Sequence, residues 1–237
     1  MPAPPDDITR HTAALVAEDH RGVRYRRPVG DGLMVHRDFK LTLQERPAIR
    51  PNGQNRDQRS YRSWLTALLT EAYRAATEHA VAMVFSDWRQ EPTTSDALQM
   101  AGWTWSGTIP WIKPASRPRK GGFKQSAEFI TWGVKGSLEK DRDLYLPGHF
   151  IASQPRKDRV HITQKLVEIM QQLVQICPEG GTVLDPFTGS GSTGVAALRE
   201  GRRFVGVELS SHYAGVAEQR LQRALTQDDF ELAGPEE

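Results

Sequence analysis

Cysteine is nearly missing from this chain: Cys177 is the only one in 237 residues. A lone thiol excludes a disulfide framework and fits a reducing compartment, and its place in an apolar helical stripe reads as core. No apolar run approaches the length of a membrane span and no signal peptide opens the chain, so the expectation is a soluble, cytoplasmic protein with no membrane partner. An excess of one charge is also lacking. Lysine plus arginine number 31 against 29 acids, a formal charge of +2, so affinity for a polyanion must come from local clustering. Internal repeats are absent as well. What remains, 38% apolar and 25% charged residues, suffices for one sizeable α/β domain.

Residues 1–56 are rich in Pro, Arg and Asp and read as an irregular N-terminal arm, relieved only by the apolar Ala13 to Val16 and Leu33 to Val35. Residues 57–226 read as a single domain. Trp64, Leu65, Leu68, Leu69, Ala72 and Ala76 recur at helical spacing, predicting a helix from Tyr61 to near His79. Val81 to Phe85 is a strand, and a helix capped by Thr93 or Thr94 runs through Met100 to a stop at Gly102. Strands follow at Trp103 to Ile112 and Phe129 to Val134, separated by a basic loop over 113–125; residues 135–160 read as an irregular insertion. Residues 161–226, expected to be a cofactor-binding half from the glycine loop they contain, open on Ile162, Leu166, Val167, Met170, Leu173, Val174 and Cys177, which form a second helical stripe. A last helix spans Ser211 to Leu225, and 227–237 is an acidic tail. Alternating strands and helices predict a mostly parallel sheet with helices on both faces.

The most informative stretch joins Val183-Leu184-Asp185-Pro186-Phe187-Thr188-Gly189-Ser190-Gly191-Ser192-Thr193-Gly194 to Phe204-Val205-Gly206-Val207-Glu208. It reads as strand, glycine loop, helix, strand, acid. Glycines lacking Cβ let the backbone approach a ligand and take positive φ, and a helix beginning near Ser192 offers its unpaired amides. A carboxylate at Glu208, closing the second strand, can accept the hydroxyl protons of a ribose. Gly189, Gly191 and Gly194 also match G-x-G-x-x-G, which keeps a nicotinamide cofactor open. Against it, Asp185 to Thr188 lengthen the loop before the first glycine. A carboxylate at that strand end suits the amino group or sulfonium of S-adenosylmethionine better than a pyrophosphate.

The loop Asp185 to Thr193, with His161-Ile162-Thr163-Gln164-Lys165 upstream, resembles the cofactor half of bacterial and phage DNA methyltransferases that modify exocyclic amino groups. In that family the loop is D-P-F-x-G-S-G-T-T, and H-x-T-Q-K-P opens the preceding helix. Here Ser192 and Leu166 depart from the pattern without removing a backbone donor. The resemblance implies a Rossmann-like methyltransferase fold in permuted order, catalytic half first. Its S-adenosylmethionine would lie on Asp185, Pro186, Phe187, Thr188, Gly189, Ser190, Gly191, Ser192, Thr193 and Glu208, with Thr163, Gln164 and Lys165. Asp57 to Ser60, Ser86 to Gln90 and Gln125 to Gly133 are similar to segments of the phage-type members, so the likeness runs from Asp57 to Leu221.

The implied partner is double-stranded DNA. Lys113, Arg117, Arg119, Lys120 and Lys124 crowd a segment with no acid and are the candidate phosphate contacts, the alternative being a merely solvated loop. Trp88, Trp103, Trp105, Trp111 and Trp132 read mostly as packing residues, with one or two at a strand end free to stack on an extruded base. No metal site is expected, and a homodimer stays open. The family's catalytic D/N/S-P-P-Y/F tetrapeptide is not found. Substitutes are sought at Asp87 and Trp88, after the strand Val81 to Phe85, and at Asp19 or Asp38 in the arm; the bland reading of Asp87 and Trp88 is a strand-end acid and a packing indole. Two functions follow: an active DNA methyltransferase, or a catalytically silent relative that binds DNA.

Overall fold

The computed structural model describes residues 12–13, 33–36, 58–153 and 165–232, with side chains of 58–153 and 165–226. These residues form two compact units, one holding 12–13, 33–36 and 165–232, the other 58–153.

The first unit is built on a parallel sheet. β1 (Thr12–Ala13), β2 (Leu33–His36), β7 (Thr182–Asp185) and β8 (Arg203–Val207) lie in the order β1-β7-β8-β2. All three pairings are parallel, with Asp185 opposite Gly206 and His36 opposite Val207. Parallel neighbours need a crossover, and α4 (Ser192–Arg199) supplies it between β7 and β8. α3 (Val167–Val174) precedes β7, and α5 (Ser211–Leu232) follows β8. Phe204, Leu221, Val195, Ala197 and Ala224 close the core. Gly194 lets α4 approach it: a Cβ there would lie 2.5 Å from Leu221 and 2.6 Å from Phe204.

The second unit is a mixed sheet in the order β3-β5-β4-β6. β3 (Val81–Ser86) and β4 (Thr104–Ile112) both pair antiparallel with β5 (Ala127–Val134), and β6 (Phe150–Ile151) adds in parallel to β4. α1 (Gln58–Ala75) buries Leu65, Leu68, Leu69 and Ala72, and α2 (Glu91–Met100) buries Ala97 and Leu98. Trp103 and Trp111 are buried, with indole N–H groups donating to Leu69 O at 2.9 Å and Ala152 O at 3.0 Å. A buried indole requires such an acceptor.

The α/β class stands, with its parallel pairing concentrated in the first unit. Several local expectations are corrected. The arm is not irregular throughout, because β1 and β2 flank β7 and β8; strands of two and four residues leave little alternation to read in the sequence. Residues 150–151 of the supposed insertion form β6. α2 starts at Glu91, before Thr93 and Thr94: Asp87 turns the chain into it, and Pro92 fits the first turn, where no amide partner is lost. Thr94 Oγ1 instead donates to Gln90 O at 2.8 Å. α5 continues to Leu232, taking in the first residues of the supposed tail. Among the described residues no helix is long and apolar enough to cross a membrane.

Candidate functional site

Asp185 ends β7 and Glu208 follows β8, so adjacent parallel strands deliver two carboxylates to one edge, where open α/β sheets bind ligands. Asp185 folds the loop around itself. Its Oδ1 accepts from Phe187 N at 2.9 Å, its Oδ2 from Thr193 Oγ1 at 2.6 Å, and its carbonyl from Thr188 Oγ1 at 2.9 Å. The first closes the turn at the loop's start, and the second joins that start to the first turn of α4. Glu208 ties the other side, accepting Gly189 N on Oε2 at 2.8 Å and Ser210 N on Oε1 at 2.9 Å. A carboxylate has about four lone-pair positions, so Glu208 keeps capacity for further donors.

The glycines divide the labour differently from the expectation that all three serve ligand approach. Gly189 has φ +52°, and a Cβ there would meet nothing nearer than Phe187 O at 3.8 Å, so the space at its Cα is open while its amide is held by Glu208. Gly191, at φ +83°, is the residue before α4, and its missing Cβ makes room for Ala217. Gly194 serves the core contact already described. Gly206 spares a clash with Thr188 Oγ1.

Electrostatics favour a cation. Withdrawal from solvent pushes the Asp185 carboxyl above its ordinary range; the hydrogen bonds from Thr193 and Phe187 oppose that rise, and the Glu208 charge adds to it. A positive ligand relieves the mutual repulsion of the two acids, whereas a pyrophosphate would worsen it. Beneath the loop, Arg220 Nη1 donates to Ser190 O at 2.5 Å, Ser190 Oγ at 3.1 Å and Ser192 Oγ at 3.4 Å. Burial and the nearby Arg199 lower its pKa. Arg220 was not foreseen; its signal, a cation amid the apolar spacing of α5, is ambiguous in sequence. Phe187 and Leu209 leave 56% and 90% of their surfaces exposed beside the two acids in the chain. Lys165 lies just before α3, whose N-cap is Leu166, while Thr163 and Gln164 fall outside the described residues.

In the second unit, β4 and β5 form a long hairpin whose connection carries the basic cluster. Lys113 is not a free phosphate contact: its ammonium pairs with Glu128 and lies 4.4 Å from the Trp111 ring centroid. Lys124 Nζ donates to Pro114 O. Arg117, Arg119 and Lys120 are exposed, and among the described residues none pairs with a carboxylate. Asp87 is engaged too. Its Oδ1 accepts from Arg89 N at 2.9 Å and Gln90 N at 3.1 Å, and its Oδ2 meets Arg89 Nη2 at 2.6 Å. Burial alone would raise its pKa, but these donors outweigh it and the net shift is downward. Trp88 is 49% exposed and, with Glu91, Thr108, Pro110 and Phe129, lines an open cleft of about 370 Å³. Asp19 and Asp38 lie outside the described residues. Among those described, no cluster of His, Cys, Asp and Glu has a metal-binding arrangement.

A parallel β-α-β unit with an acid at each strand end and a positive-φ glycine between them is the arrangement with which open α/β folds receive nucleosides. The pattern of the DNA methylase family N6_N4_Mtase matches residues 49–219. Putative methylase YubD of Escherichia coli (strain K12) is 32% identical over 169 residues, covering 69% of this chain and 73% of its own length. Type II methyltransferase M2.LlaDCHI of Lactococcus lactis subsp. cremoris is 32% identical over 150 residues, and the chain spans only 55% of it. In three dimensions, the crystallised M1.HpyAVI–SAM complex superposes with a TM-score of 0.58 at 27% identity, over 68% of this chain and 84% of that one. The chain belongs to the N6/N4 DNA methylase family, whose methyl donor is S-adenosylmethionine and whose substrate is DNA.

Proposed function

We propose that this chain transfers a methyl group from S-adenosylmethionine to the exocyclic amino nitrogen of adenine or cytosine in double-stranded DNA, in the cytoplasm and without a metal. The single observation carrying the proposal is the pair Asp185 and Glu208 bracketing Gly189, whose Cα faces open space. Asp185 would face the positive amino-acid end of the cofactor, and Glu208, with lone pairs left, would accept the ribose hydroxyl protons. Phe187 and Leu209 offer apolar surface for the nucleobase. Bound there, the cofactor supplies an electrophilic methyl group. The chain's own part is to hold that group in line with the incoming nitrogen, where orientation provides much of the acceleration. On the DNA side, Arg117, Arg119 and Lys120 would contact phosphates, and the cleft beside Trp88 would receive a base taken out of the stack.

A second reading rests on one sequence fact, the missing D/N/S-P-P-Y/F tetrapeptide. On that reading the protein binds cofactor and DNA without transfer. Calorimetry separates cofactor classes first: heat with S-adenosylmethionine and with its demethylated product, and none with NAD, is expected. Preferential NAD binding would overturn the assignment of the pocket.

A further inference from the structure

The hairpin that carries the free cations also carries an aromatic ring with no place in the core. Phe123 is 92% exposed. A single exposed apolar residue is ordinary on a protein surface, so its setting decides its meaning. Between Lys113 and Lys124 there are five cations and no acid, an environment that draws the segment onto a polyanion. The root of the hairpin is fixed. Ile112 pairs with Ala127, Lys113 N donates to Ser126 O at 2.6 Å, Ser116 N donates to Lys113 O at 3.1 Å, and Lys113 is locked to Glu128. Pro114 and Pro118 restrict the ascending arm, whereas Gly121, at φ +70° with nothing within 4 Å of a built Cβ, turns the chain in open space just before Phe123. The result is a ring on a firm stem amid cations.

We infer that Phe123 is an intercalating wedge: with Arg117, Arg119 and Lys120 on the phosphates, its ring enters between base pairs and lowers the cost of releasing the target base. This rests on the proposed DNA methyltransferase function. The physics matches that of apolar side chains that unstack a base step and kink the duplex, and chemistry on a base amino group requires that release. The stem also bears Pro110 and Phe129, register partners that line the Trp88 cleft, so one hairpin would carry both the wedge and a receiving surface.

Intercalation unwinds DNA, and this provides a test needing no knowledge of a recognition sequence. Closed circular plasmid is relaxed by a topoisomerase in the presence of wild-type protein, Phe123→Ala or Phe123→Trp, with binding to the same plasmid measured in parallel. Wild type and Phe123→Trp should shift the topoisomer distribution. Phe123→Ala should bind within about tenfold of wild type, as loss of one stacking contact allows, and leave the distribution unshifted at saturating protein. Equal shifts with and without the ring, or binding by wild type with no shift, would overturn the wedge while sparing the DNA reading. Failure of wild type to bind plasmid at all would overturn both. Ring-dependent binding to anionic lipid vesicles, with no effect on plasmid topology, would assign Phe123 to a membrane surface and also reject the wedge.

Discussion

The loop after β7 and the hairpin between β4 and β5 share a richness in glycine and an exposed phenylalanine, but are held in opposite ways. In the first, Asp185, Glu208 and Arg220 tie the loop to both strands, to α4 and to α5. In the second, the bonds gather at the root, and Arg117, Arg119, Lys120 and Phe123 stand in solvent. A small, fixed ligand rewards preorganisation, since ordering the loop upon binding would subtract from affinity. A long polyanion rewards reach and charge, and tolerates imprecise geometry because phosphate contacts are sequence-independent. The contrast supports a division of labour between cofactor and DNA.

The largest effect that would break this comparison is expected at Asp185. Asp185→Ala removes the acceptor of two loop hydrogen bonds, each of the charge-assisted kind worth about 1.5–3 kcal/mol, and the charge proposed to face the cofactor. S-adenosylmethionine binding should weaken by about a hundredfold or more in calorimetry, with plasmid affinity unchanged. Replacing Arg117, Arg119 and Lys120 together by Ala should do the reverse. Cofactor binding should stay intact, while the slope of log affinity for DNA against log salt becomes shallower by about 2 to 3, near 0.9 per lost phosphate contact. An unchanged slope would remove those residues from the interface.

Next in size, Gly194→Ala should destabilise the first unit by about 1–3 kcal/mol, because Leu221 and Phe204 are both fully buried and have little room to retreat. Thermal melting measures it, and a neutral result would refute the close packing of α4. The smallest effect sharpens the electrostatic account. Since folding raises the Asp185 pKa, the stability linked to its protonation is fully present below the unfolded value near 3.9 and is lost as pH rises through the higher folded value. Asp185→Asn should therefore gain stability relative to wild type with rising pH, the gap closing in acid, although it binds cofactor more weakly. Denaturant unfolding across pH reads that trend.

The loop after β7 is legible as strand, glycine turn, helix and acid because these are read from a single run of sequence, and β7, α4 and β8 form where expected. The partition of its glycines was not, because Gly191 and Gly194 answer to Ala217, Leu221 and Phe204 in other elements. Long-range pairing was equally hidden. Thr12–Ala13 and Leu33–His36 owe their strand state to partners near residues 182 and 204, and alternation in β3, β4 and β5 does not reveal their antiparallel order. At the hairpin the five cations look interchangeable in sequence; Glu128 and the Trp111 ring set Lys113 apart, and Pro114 O sets Lys124 apart. Asp87 reads as an acid at a strand end and is engaged by Arg89 and the turn into α2.

The most direct test of the central claim is transfer of label from methyl-labelled S-adenosylmethionine to unmodified double-stranded DNA, with mass analysis of the nucleosides and Asp185→Ala as the control. Labelled N6-methyladenine or N4-methylcytosine with wild type, and none with the variant, is the predicted result. Saturating cofactor and DNA binding by wild type with no label on any nucleoside would contradict it.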